Sequence, residues 1–191
     1  MDLRSARIAD ILNFWFASPD PGAVTELRPQ WFTKDPAFDR TISDEFGVEI
    51  EMALAGGLGP WQTDAAGILA LVLLLDQFPR NVFRGSARAF AGDERALALA
   101  KQAVAGGLDG PMGPRQRLFL YLPFEHSEKL ADQDRAVALI AAIGEPEQTD
   151  YAHRHCAVIA RFGRFPHRNA ALGRQSTIEE LQFLEQSGSS F

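Results

Sequence analysis

Ala65-Ala66-Gly67-Ile68-Leu69-Ala70-Leu71-Val72-Leu73-Leu74-Leu75-Asp76-Gln77-Phe78-Pro79-Arg80-Asn81 decides the fold. Asp64 stands ahead of it as a helix cap, and no charged or hydrogen-bonding side chain appears from Ala65 to Leu75. A run apolar on every side belongs at the centre of a helical protein, not on its surface. A bilayer span needs about 20 such residues, so the stretch reads as a core helix. Pro79 lacks the N–H of an intrahelical bond, and the helix is expected to stop or kink near Phe78.

Working outward, apolar residues keep recurring at spacings of three and four. Ser5 to Phe16 sets Ile8, Ile11, Leu12 and Trp15 on one face. Asp35 as cap and Pro36 as first helical residue open a run to about Leu54, ended by Gly56-Gly57. Downstream, Asp93 is expected to cap a helix with Leu97, Ala100 and Val104 inward, and Arg115 to Leu122 to form a short helix halted by Pro123. A further helix follows Ser127 or Asp132 and runs to Ile143. Asp150 is expected to cap the next, with Tyr151, His155, Val158, Ile159 and Phe162 as its stripe. Ser176-Thr177-Ile178-Glu179 reads as a capping box for the last. No strand alternation and no Asn-Gly hairpin is legible. The expectation is an all-α fold of about eight helices in antiparallel pairs, as one domain over residues 1–186 with a frayed tail at 187–191.

Composition narrows the function classes. The chain has 191 residues, 46% hydrophobic and 23% charged, as in ordinary globular proteins. Nineteen basic against 25 acidic residues, net charge −6, argue against a nucleic-acid binder. The single Cys156 excludes an internal disulfide and suits a reducing cytoplasm. Met1 to Phe16 is interrupted by Asp2, Arg4, Arg7 and Asp10, unlike a secretory signal. No membrane partner is expected.

One phrase occurs twice. Phe78-Pro79-Arg80-Asn81 returns, with one residue inserted, as Phe165-Pro166-His167-Arg168-Asn169. Arg80, Arg84 and Arg88 follow Asp76 with no carboxylate before Asp93. Tyr151 to Ile178 holds Arg154, Arg161, Arg164, Arg168 and Arg174 with His153, His155 and His167, and no Asp or Glu. Two readings fit. Asp76, Arg80, Asn81, Arg84, Arg164, His167, Arg168, Asn169 and Arg174 line a site for a small anion or acidic peptide. Alternatively, the arginines pair with the protein's own carboxylates and carbonyls, Asp76 or Glu125 among them. Between the copies, Glu125 beside His126 has the residue types of acid/base catalysis. Ser127 reads as a helix cap, because no Gly-x-Ser-x-Gly surrounds it. His153, His155 and Cys156 lack metal-ligand spacing, and no Gly-x-Gly-x-x-Gly or phosphate loop is present, so no metal or cofactor is expected.

As a set, Phe14-Trp15-Phe16, Leu74 to Asn81 with Phe83-Arg84-Gly85, Tyr121 to Glu128, and Arg161 to Asn169 with Leu172-Gly173-Arg174 resemble an uncharacterised, largely bacterial family known only as a domain of unknown function. The resemblance covers almost the whole chain in the same order. It implies an all-helical, tetratricopeptide-like fold and supplies no activity, cofactor or catalytic residue. The reading is therefore a cytoplasmic helical domain with an arginine-lined cleft for a small anion or acidic peptide. The alternatives are an enzyme acting on such an anion through Glu125 and His126, or a purely structural scaffold.

Overall fold

The computed structural model describes residues 2–189, which form eight α-helices with no strand among the described residues. They are α1 (Leu3–Phe16), α2 (Pro36–Ala55), α3 (Ala65–Val82), α4 (Asp93–Ala105), α5 (Pro114–Glu125), α6 (Leu130–Ala141), α7 (Pro146–Phe162) and α8 (Ile178–Leu184). Two compact units emerge: one comprises the residues up to Arg84 with Arg88–Pro123, the other Gly85–Ala87 with the chain from Phe124 onward. Of the expected tail, 190 and 191 lie outside the described residues; Ser189 is buried and its hydroxyl donates to the Leu184 carbonyl.

In the first unit α3 is the centre. Every residue from Ile68 to Leu75 is at most 3% exposed, and α1, α2 and α4 pack on this helix. It is long and apolar enough to cross a membrane, but 72% of it is buried inside the protein, as in a core helix. Around it, Trp15, Phe16, Phe46, Phe78 and Phe119 are all at most 2% exposed. Phe119 meets Trp31 edge-on at 4.8 Å, and the Trp31 indole N–H donates to the Trp15 carbonyl at 2.9 Å. The aromatic pairs near the N-terminus are thus core, apart from the exposed ring of Phe32.

The central helix does not stop at Phe78. Leu73–Gln77 widens into a π turn, in which the Phe78 N–H donates to the Leu73 carbonyl five residues back. In a plain α-turn the Pro79 ring would collide with the Leu75 carbonyl and supply it no donor; the wider turn accommodates the ring, and the helix continues to Val82. Gly92 packs on that same carbonyl, where a Cβ would fall 2.2 Å from the oxygen. Gly92 is the N-cap of α4, so Asp93 is its first residue and not its cap. The buried stripe of α4 is Ala96, Leu99, Ala100 and Ala103, not Leu97, Ala100 and Val104. Pro123 likewise lies inside α5, which ends at Glu125 instead of Leu122.

In the second unit α6 packs on α7, and Val158, Ile159 and Phe165 form a core with Phe162 and Phe183 against it. Pro146 opens α7 ahead of the expected Asp150, because proline at the first helical position has its φ preset. Gly163, at φ +69°, ends α7, and Pro166–Arg168 forms a 3-10 turn. The capping box of α8 is Thr177 with Glu180, one residue beyond the expected pair.

Candidate functional site

The first unit holds Asp76, Arg80, Asn81 and Arg84. Asp76, fully buried in the π turn, accepts from Gln77 Nε2 at 2.5 Å, and its Oδ1 lies 3.2 Å from Arg80 Nη1. Arg80 also donates to the Asp76 carbonyl and grips both oxygens of Asp93, at 2.9 and 3.0 Å. Burial disfavours the Arg80 charge, but Asp76 and Asp93 more than compensate and hold it above its ordinary value. Arg84 grips both oxygens of Asp39, at 2.7 and 2.9 Å, and Asn81 Nδ2 donates to the same carboxylate at 2.8 Å. Burial alone would raise the Asp39 carboxyl; Arg84, Asn81 and Lys34 bring it below the usual range.

The remaining predicted residues fall in the second unit, and every bond named here for the predicted residues has its partner in the same unit. Arg164 grips Glu180 through Nε and Nη2, at 2.6 and 2.8 Å. These bonds, with the Thr177 N–H and Asn169, hold the Glu180 carboxyl down to about 2 against the effect of desolvation. Arg174 grips Glu128 at 2.7 and 2.9 Å, donates to the Phe165 carbonyl at 3.0 Å, and donates through Nε to Asn169 Oδ1. Glu128 also accepts the Phe165 N–H at 2.8 Å. Asn169 Nδ2 donates to Ser176 Oγ. Arg168 is buried with its guanidinium 4.5 Å from the Phe165 ring centroid, and the His167 ring lies 5.5 Å from the same phenyl.

Glu125, 4% exposed, faces His155, 5% exposed, with 3.3 Å between Oε1 and Nδ1. The same Nδ1 lies 2.9 Å from the Tyr151 carbonyl, which only accepts, so Nδ1 carries the proton and Nε2 is the unprotonated nitrogen. Burial lowers the His155 pKa to about 3; the Tyr151 carbonyl opposes this, while His126, His167 and Arg168 reinforce it. The Glu125 contact is therefore to a neutral ring. The His126 ring centroid lies 6.3 Å from that of His155. Ser127 is held as a turn residue, donating to Asp132 and accepting the Lys129 N–H. Among the described residues no cluster of three His, Cys, Asp or Glu side chains is placed to hold a metal ion.

The sequence reading missed the partners Asp39, Asp93 and Glu180. One local signal marks them: each sits in the first turn of its helix, where the dipole favours a carboxylate. A family model described as bacterial protein of unknown function matches residues 11–188. A solved protein of unknown function from Agrobacterium tumefaciens is similar throughout, with 42% identity and a TM-score of 0.85 over 95% of this chain and 98% of that one. No curated protein matches the sequence.

Proposed function

We propose, for a chain that belongs to the DUF924 family of bacterial proteins of unknown function, that the arginine motifs are architectural and the domain is a helical scaffold. The observation that carries this reading is the filled fork. Arg80, Arg84, Arg164 and Arg174 each present two nitrogens to both oxygens of one internal carboxylate. That is the geometry by which arginine would grip an anionic ligand, and here the protein's own Asp39, Asp93, Glu128 and Glu180 occupy it. An anion at these sites would have to displace a carboxylate. The lone thiol of Cys156, raised by burial and by Asp134, fits a reducing compartment such as the cytoplasm.

Thermal melts of the unmodified protein, Arg168→Ala and Arg174→Ala, with and without inorganic phosphate or succinate, test the reading. Both substitutions are expected to lower the melting temperature without any ligand, and the anions to leave it unchanged in all three proteins. An anion-dependent rise in the unmodified protein that disappears in Arg174→Ala would overturn it.

The neutral His155 favours a second reading. An imidazole with Nδ1–H oriented by an acceptor has the tautomer of a general base, with Glu125 beside it and His126 nearby, although burial, by lowering its pKa to about 3, leaves Nε2 only weakly basic. Against it, both side chains are buried, so a substrate must part the packing to reach them. Hydrolysis of any ester, amide or phosphoester substrate that is lost in both Glu125→Gln and His155→Gln, with folding intact, would establish it.

A further inference from the structure

We propose that a groove on the first unit, at the C-terminal end of α2, binds a small organic acid: one carboxylate on a short apolar chain. The groove has a volume of about 300 Å³, with Leu58, Leu75 and Leu99 in its floor and Gln62, Gln102 and Arg95 at its polar edge. Small-ligand sites begin at about this size and combine an apolar body with few polar groups.

Arg95 differs from the motif arginines. Its Nη1 donates to the carbonyls of Ala53 and Leu54, both at 3.0 Å, which anchors the guanidinium at the last turn of α2. Gly56 makes the space for it: a Cβ there would fall 2.7 Å from Nη1 and 2.8 Å from Nη2, and the φ of +82° suits glycine in any case. These bonds hold the group in place and offset its charge only in part, because the free carbonyls at the C-terminal end of α2 carry about half a negative charge against the full positive charge of the guanidinium. Nη2 and Nε remain to donate to a ligand lying in the groove. One fixed positive charge beside an apolar floor is complementary to one negative charge beside an apolar chain. The amides of Gln62 and Gln102 are suited to the second carboxylate oxygen. A phosphate or dicarboxylate would bring a second negative charge with no second cation among the lining residues. This inference goes beyond the architectural reading, and its failure leaves that reading standing.

Titration of the full chain with sodium hexanoate, 1-hexanol and inorganic phosphate, followed by backbone amide NMR shifts, tests the site. Hexanoate is expected to give saturable shifts centred on Leu58, Leu99 and Gln102, with hexanol at least about tenfold weaker and phosphate producing none at these amides. Arg95→Gln removes the charge, and Ala98→Phe fills the groove from an exposed helical position while leaving Arg95 and its carbonyl bonds in place. Each is expected to weaken hexanoate by at least about tenfold. Ala98→Phe should melt like the unmodified protein, which separates loss of the site from loss of the fold. No hexanoate binding, equal binding of hexanoate and hexanol, competition by phosphate, or unchanged affinity in either folded variant would overturn the proposal.

Discussion

Glu128 shows how much one side chain organises. Its two oxygens accept from Arg174 at 2.7 and 2.9 Å and from the Phe165 N–H, while Arg174 in turn holds the Phe165 carbonyl. Both main-chain polar groups of a fully buried phenylalanine are thus satisfied by one ion pair. Burial would raise the Glu128 carboxyl, yet Arg174, the Phe165 N–H and Arg168 together bring it below the ordinary value. Glu128→Gln preserves shape but removes the charge, and is expected to cost about 1.5–3 kcal/mol in urea denaturation, the range for hydrogen bonds to charged groups. Arg174→Lys keeps the charge but loses the planar fork and should recover less than half of the loss in Arg174→Ala. Equal stability of Arg174→Lys and the unmodified protein would show that charge alone suffices at this position.

At the scale of elements, the π turn of α3 and the start of α4 depend on each other through Gly92 and the Leu75 carbonyl. Gly92→Ala places a methyl group against backbone that cannot move aside, and a loss of roughly 1–3 kcal/mol is expected. Gly47, in the middle of α2, has nothing within 4 Å of its would-be Cβ. There Gly47→Ala is expected to stabilise by about 0.5–1 kcal/mol, so thermal melts of the two variants should move in opposite directions. The same contrast explains what the sequence made legible. Asp35 and Asp64 act as the caps they were expected to be, because their bonds to Ala37, Phe38 and Gly67 are local. Asp93 does not, because Arg80, 13 residues away, takes its carboxylate. The rule for isolated helices makes Pro79 a stop or a kink and Pro123 a stop; the folded protein carries both inside helices, Pro79 just after a π turn. Glu128 and Arg174 each belong to a legible motif, but 46 residues separate them, and no local pattern joins them. The motifs therefore marked the arginines, while the identity of what fills their forks depended on tertiary structure.

Across the whole molecule, the net charge of −6 coexists with arginines gripped by internal carboxylates, so acid should weaken the fold through groups whose folded-state affinity for protons is low. His155 titrates at about 3 in the folded chain against 6.5 ordinarily, chiefly because burial penalises its charge. Between those values the unfolded chain binds a proton that the folded one refuses. Stability from this group is complete above about pH 6.5 and is lost as pH falls, by at most about 1.4 kcal/mol per pH unit. Glu180, held at about 2 against 4.5, and the lowered carboxyls of Glu128 and Asp39 act with the same sign over a lower window. Their contribution is complete above about pH 4.5 and disappears as the folded carboxylates are finally protonated. Urea denaturation at a series of pH values should therefore give a plateau near neutrality, a first decline below about pH 6.5, and a steeper one below about pH 4.5. His155→Gln is expected to flatten the first decline and leave the second intact, since it removes the imidazole without touching the arginine pairs. A stability profile level from pH 7 to pH 5 in the unmodified protein would mean that His155 accepts its proton in the folded state. The contact with Glu125 would then be an ion pair, and the buried pair would have the charge distribution that the catalytic reading requires after proton transfer.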